Sequence, residues 1–405
     1  MRPKDRIRVL KNGAILSRKK EVTNIVNMNQ EDRSNISNQD EEIRDRSLKM
    51  LKAKVEMGDL PLELKERLLI RVERLNLLVG TNAYLTDFES TASYVDLVCS
   101  IPWNKRSPDN LDLNIAHQIL DKNHYGIDIV KDRILEHLSI LSLRRRNGRS
   151  PEKSEVVKTK TFVPVKAESF RASVLCFVGL PGIGKTSMAH SIAEAMDRRF
   201  VRIAMGGMGS ASQLRGRARG FPASEPGMVV KNIIRAGYKN PVLLLDEIDR
   251  VADSARAEIM GVLLELLDPE QNMAFTDYYL DFPLDLSEVM FICSCNNTGG
   301  IANAVLDRLE LIQMPSYTDE EKIVIGVRYL FPKELKHSGL TEDELQIEDD
   351  VWSQIIRPLG FDAGVRTLDR TIQGVCGKVA RKIVMGEGKT FRITQDNVAE
   401  FLPQW

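Results

Sequence analysis

The stretch Gly179-Leu180-Pro181-Gly182-Ile183-Gly184-Lys185-Thr186-Ser187 follows the apolar run SVLCFV (173–178) and precedes a helix-length segment ending near Met196. It spells G-x-x-x-x-G-K-[ST], the phosphate-binding loop that joins a strand to a helix. Glycines at 179, 182 and 184 let the backbone wrap closely, so that its N–H groups and the helix N-terminus face phosphate oxygens. Lys185 can then reach the β- and γ-phosphates, and the Thr186 hydroxyl can ligate Mg²⁺. A chance glycine-rich turn containing a lysine would not be expected to sit between just these two elements.

Working outward, further short apolar runs recur at FVRIAM (200–205), PVLLLD (241–246), EVMFICS (288–294) and ELIQM (310–314), separated by helix-length stretches. Such alternation predicts an α/β fold, a parallel sheet with crossover helices. The run at 241–246 ends in Asp246-Glu247, which supplies the acidic pair that triphosphate hydrolysis needs at the edge of the sheet. Asp246 is expected in the Mg²⁺ shell, and Glu247 is expected to orient and deprotonate the attacking water. Paired acids also cap helices, so this pair gains its meaning from the phosphate loop.

The remainder of the chain is organised around that core. Residues 1–45 read as a flexible polar arm with a basic start, and residues 46–146 as a helical region with apolar residues at three- and four-residue steps. Residues 147–172 mix Gly, Pro, Ser and Lys as a linker does; 173–316 hold the α/β domain, and 317–405 a small helical domain without strands. The 405 residues carry 57 Lys+Arg and 57 Asp+Glu, a zero net charge that argues against a protein working through bulk positive charge. Five scattered Cys and five dispersed His offer neither a disulfide framework nor a zinc site. Cys293 and Cys295, on one strand face, are expected as buried small hydrophobes. With neither a secretory signal nor an apolar span, the expected compartment is the cytoplasm and no membrane is involved.

The loop GLPGIGKTS and the strand LLLDEID resemble those of AAA+ ATPases. Several other stretches resemble the Lon protease family in particular: LVCSIPW (97–103), LDKNHYGIDIVK (120–131), LLELLDPEQN (263–272), YLDFPLDL (279–286), VMFIC (289–293) and AGVRTL (363–368). The similarity runs from about residue 41 to the C-terminus. It implies a P-loop AAA+ core with a helical lid that binds ATP and Mg²⁺. It further implies that Asn296 is the sensor-1 residue between Glu247 and the γ-phosphate, that Arg308 is an arginine finger reaching a neighbouring subunit, and that Arg366 is the sensor-2 residue. Tyr125, beside Gly126, matches the residue next to the adenine, with a core tyrosine as the alternative. Phe221, followed by Pro222 where the family has an aliphatic residue, matches the loop that grips polypeptide. The alternative there is a Phe221 packed under a flap.

From the resemblance follow a homo-hexamer and unfolded or misfolded protein substrates. The family's Ser-Lys peptidase domain has no counterpart in this sequence, so a stand-alone unfoldase, working alone or with a separate peptidase, is the leading expectation. The ATPase part of a full-length Lon serine protease is the second reading. A nucleic-acid machine such as a clamp loader or helicase is the third, with neutral charge and the aromatic loop against it.

Overall fold

The computed structural model describes residues 46–78, 84–146, 174–356 and 362–403. The expected polar arm and linker lie outside these residues. The chain divides after Ser100 into two compact units.

Among its described residues the first unit holds three helices, α1 (46–57), α2 (Leu62–Leu78) and α3 (Tyr84–Ser100). In α2 the buried residues are Leu64, Leu68, Val72 and Leu75, spaced to make one helical stripe. They join Leu48, Leu51 and Val55 of α1 and Val95 and Val98 of α3 in being removed from water. Each such burial contributes about 2 kcal/mol, which is what holds three otherwise polar helices together. The break between α1 and α2 falls at Gly58–Pro61, where the proline has no N–H to continue a helix.

The second unit is built on a five-stranded, fully parallel sheet in the order β2-β3-β6-β1-β7. Its strands are β1 (Val174–Val178), β2 (Phe200–Ala204), β3 (Val242–Asp246), β6 (Met290–Cys295) and β7 (Leu309–Gln313). Every residue of β3 and β6 is buried, whereas the edge strands β2 and β7 include exposed positions. Covered faces on both sides explain why the central strands read as unbroken apolar runs. Helices α6 (Lys185–Ala195), α7 (Ser212–Arg215), α8 (Met228–Ala236), α9 (Arg256–Leu267) and α10 (Asn303–Leu306) connect the strands. A small hairpin, β4 (Phe275–Thr276) with β5 (Pro283–Leu284), precedes β6.

Helices α4 (Leu113–Asn123) and α5 (Asp128–Arg146) share their core with this sheet. Leu120, Val130, Ile134 and Leu138 pack in one cluster with Leu175, Ile192 and Leu244. The Asp112 carboxylate caps α4 by accepting from the N–H groups of Asn114 and Ile115. At the end of α4, His124 Nε2 lies 2.9 Å from the Ser191 hydroxyl of α6. Burial, helped by the Lys131 ammonium, pushes the His124 imidazole down to about 4 from its ordinary 6.5. The folded chain therefore resists a proton that the unfolded chain accepts, so stability falls as pH drops through the window between these values. That loss is worth about 3 kcal/mol, and in His124→Gln the decline in unfolding free energy between pH 7 and pH 4 is smaller by this amount. Denaturant titrations of both proteins at the two pH values check it.

After Pro315 the lid begins with α11 (Asp319–Ile325), whose capping box pairs Thr318 with Glu321. A π-helical turn (Gly326–Leu330) leads into α12 (Phe331–Ser338), followed by α13 (Trp352–Ile355), α14 (Arg366–Val384) and α15 (Val398–Phe401). The absence of strands expected here is corrected: β8 (Leu345–Ile347) and β9 (Phe391–Ile393) pair in parallel. Three-residue strands are too short to show a period of two, so the sequence could not signal them. The lid has its own core of Trp352, Leu368, Ile372, Val375 and Val379.

Candidate nucleotide site

The phosphate loop leaves β1 at the carboxyl edge of the sheet, between neighbours β6 and β7. Ligands of open α/β sheets bind at this edge. Gly182 (φ +83°) and Gly184 (φ +96°) adopt left-handed backbone, and Gly184 caps α6. Lys185, buried at the first turn of α6, donates from Nζ to the carbonyls of Gly179 (2.5 Å) and Leu180 (3.0 Å) and to Asn296 Oδ1 (3.0 Å). Burial holds the Lys185 ammonium below the ordinary lysine value, against the pull of Asp246. Ser187 Oγ donates to Gly184 O at 2.8 Å, and Tyr317 Oη to Ile183 O at 3.4 Å. Pro181 and Leu180 are exposed at the tip of the loop.

Thr186 Oγ1 donates to Asp246 Oδ2 at 3.3 Å, so the two hard oxygen donors assigned to Mg²⁺ adjoin one another. Oxygen donors of this kind suit that ion. The other oxygen of Asp246 accepts from the Ser294 hydroxyl, which in turn accepts the Glu247 N–H at 3.1 Å. Glu247 itself has φ +59°, ψ +49°, a conformation that costs a non-glycine residue energy and recurs where a side chain must be aimed. A Cβ on Gly206 would lie 2.6 Å from Glu247 Oε2, so only glycine leaves that carboxylate its place.

Asn296 follows β6. Its N–H and that of Asn297 donate to Asp249 Oδ2 at 3.1 and 3.3 Å, which ties the turn to the segment after β3. With Oδ1 on Lys185, the Asn296 Nδ2 is buried without a hydrogen-bond partner, a donor to spare beside the phosphate loop. The sequence therefore brought Lys185, Thr186, Asp246, Glu247 and Asn296 to one place. It missed three residues that fix them: Ser294, Asp249 and Arg202, whose Nε sits 2.6 Å from Asp246 Oδ2. An arginine inside the apolar run FVRIAM was the one available signal.

The lid closes on the loop through backbone. A Cβ on Gly364 would fall 2.5 Å from the Gly182 carbonyl carbon, and Val365 N donates to Gly182 O at 3.0 Å. Arg366, the first residue of α14, thereby starts beside Gly182. Asp362 fixes this start by accepting from Gly364 N and Thr367 N. Burial alone would raise the Asp362 carboxyl, but these N–H groups and Lys322 hold it below its ordinary value. Tyr125 is half-buried against the core of the sheet unit, with Gly126 facing the Glu321 carboxylate.

Three assigned residues lie elsewhere. Arg308, between α10 and β7, donates to Asp268 Oδ2 from Nε (3.3 Å) and Nη2 (2.9 Å) and to Ala304 O from Nη1 (2.8 Å). Phe221 and Pro222 sit on a loop between α7 and α8, Phe221 with 68% of its surface exposed rather than packed under a flap. The neck of that loop is held by Asp277, which accepts from Gly227 N at 2.7 Å and, on its other oxygen, from Tyr279 N and Leu280 N. Cys293 and Cys295 are fully buried in β6, and Cys295 Sγ lies 3.9 Å from Cys176 Sγ. Among the described residues no helix is long and apolar enough to cross a membrane.

Residues 175–317 match the "ATPase family associated with various cellular activities (AAA)" and residues 336–391 the "Lon protease AAA+ ATPase lid domain". Relatives include a Lon protease of Desulforamulus reducens, 40% identical over 342 residues, covering 84% of this chain and 39% of the relative. A Lon protease of Lawsonia intracellularis is 40% identical over 90% of this chain and 40% of its own length. Lon protease 2 of Thermus thermophilus is 39% identical over 86% and 42%, respectively. The chain thus spans about two fifths of the length of these relatives. A nucleotide-binding, Lon-type AAA+ ATPase region with its lid is what this chain carries between residues 175 and 391.

Proposed function

We propose that this chain hydrolyses Mg²⁺-ATP in a ring of identical subunits and spends the energy on unfolding and moving polypeptides. The convergence of Lys185, Thr186, Asp246, Glu247 and Asn296 at one sheet edge carries the reading of the chemistry. Lys185, the loop amides and the N-terminus of α6 neutralise phosphate charge, and Arg366, which starts α14 beside Gly182, is expected to add to it. Thr186 and Asp246 would hold the metal, which supplies further charge neutralisation on the β- and γ-phosphate oxygens when bound. Glu247 orients a water and takes its proton as the water attacks the γ-phosphorus and the bond to the β–γ bridging oxygen breaks, ADP leaving with that oxygen, and the spare Nδ2 of Asn296 can donate to that water or to the γ-phosphate. Tyr125, half-buried against the core, is expected to pack beside the adenine, as the resemblance implies.

Phe221 supplies the mechanical end. It is an aromatic side chain left in solvent on a loop whose neck is tied to Asp277, so a movement of the sheet unit is transmitted to the ring face it presents. Apolar contact of this kind grips any unfolded chain without reading its sequence. The test is ATP turnover with casein and with DNA: casein stimulates, and stimulation by DNA alone would reject the unfolding role. In Phe221→Ala the ratio of stimulated to basal turnover falls towards one and unfolding of a tagged substrate slows about tenfold. Undiminished unfolding would remove Phe221 from the grip.

A second reading is favoured by the relatives, which are more than twice as long as the matched stretch. In it the same cycle feeds polypeptide to a Ser-Lys peptidase on the same polypeptide. The site chemistry is common to both readings.

A further inference from the structure

The Asp246 carboxylate has more claimants than a metal ligand needs. Strands β2 and β3 pair in parallel with Arg202 opposite Leu244 and Ala204 opposite Asp246. With a period of two, Arg202 and Asp246 project from the same face of the sheet, one step apart along the strand. Arg202 spans that step and places Nε 2.6 Å from Asp246 Oδ2, the same oxygen that accepts from Thr186. The other oxygen accepts from Ser294. The arginine side chain is about half exposed (48%), whereas that of the aspartate is 5% exposed. Arg202 can therefore move away into solvent at little cost, and Asp246 cannot.

We propose that Arg202 is a positioning residue that competes with Mg²⁺ for Asp246: its guanidinium neutralises the carboxylate when the metal is elsewhere and yields Oδ2 when the metal–nucleotide enters. This rests on the reading that Thr186 and Asp246 hold the metal. A buried carboxylate with neither cation would repel the phosphates and carry an uncompensated charge. One with both cations at the same oxygen would crowd two positive charges together. Exchange of one for the other keeps the local charge nearly constant as nucleotide comes and goes.

Thermodynamic linkage tests this without turnover. The affinity of the full chain for the β,γ-imido analogue of ATP is measured by calorimetry in EDTA and in excess Mg²⁺, and the ratio of the two is the gain due to metal. In Arg202→Ala that ratio rises about three- to fivefold, the scale of a partly exposed ion pair. Two effects push the same way: the metal no longer displaces a cation, and metal-free nucleotide meets an unneutralised Asp246. Arg202→Lys, which keeps the charge but loses the planar fork, falls between wild type and Arg202→Ala. In an Asp246→Asn background, Arg202→Ala leaves the ratio unchanged. A ratio that stays level or falls in the single variant overturns the competition, and an effect of equal size in the Asp246→Asn background overturns it as well. A wild-type ratio of one would instead overturn the metal assignment on which the proposal stands.

Discussion

Glu247→Gln binds ATP about as tightly as the wild type and turns it over at least about 10²-fold more slowly, the usual worth of a positioned general base. The substitution keeps the side chain's length and leaves the backbone where it is, because the Glu247 N–H to Ser294 bond and the left-handed φ do not involve the carboxylate. It removes only the ability to take a proton. Phosphate loop, Thr186 and Asp246 are untouched, so equilibrium binding of a fluorescent ATP analogue stays near wild type while phosphate release collapses. Turnover within a fewfold of wild type would remove Glu247 as the base. Loss of binding would show that the carboxylate supports the loop instead of the water. The separation is informative because, among the described residues, the carboxylate gives up one ion-pair contact, the Arg250 guanidinium 3.9 Å from Glu247 Oε1, and both side chains are partly exposed.

The parts of this site that the sequence made legible are those where local chemistry and spacing coincide. Gly182 and Gly184 stand where the backbone turns left-handed, and Asp246-Glu247 closes a strand buried on both faces. The central strands declared themselves because both faces are covered. What stayed hidden depends on pieces far apart in sequence meeting in space. The approach of Gly364 to Gly182, the hold of Asp249 on Asn296 and the reach of Arg202 to Asp246 are tertiary contacts between otherwise ordinary residues. The same cause explains α4 and α5. Their periodicity is that of the helices before them, but their apolar stripes fill the core beneath the phosphate-loop helix. The sequence could give the stripe and not the surface it covers.

Arg308→Ala lowers ATP turnover about 10³-fold while leaving nucleotide binding in place, the scale of losing an arginine finger. Among the described residues, the Arg308 side chain donates to Asp268 and Ala304, and not to the phosphate loop, Asp246 or Glu247. Asp268 is well suited to hold it: burial alone would raise its carboxyl, but Arg308 and the Glu270 and Gln271 donors keep it below the ordinary value. The guanidinium is thus aimed by its own chain and, among the described residues, bonds to no group of its own site, as action on a neighbour would require. Mixing decides between the two arrangements. Arg308→Ala and Glu247→Gln are each nearly inactive alone. In a ring of both, a Glu247→Gln subunit lends its intact Arg308 to the site of an Arg308→Ala neighbour, whose own Glu247 is intact. Random equal mixing makes about a quarter of the sites competent when contacts run head to tail, so turnover recovers to a fraction of wild type that grows with time of subunit exchange. If Arg308 served its own site, no mixture would contain a complete one and the rate would remain at the sum of the two variants. Arg308→Lys recovers little in the same assay, because a point charge replaces the fork that Asp268 orients.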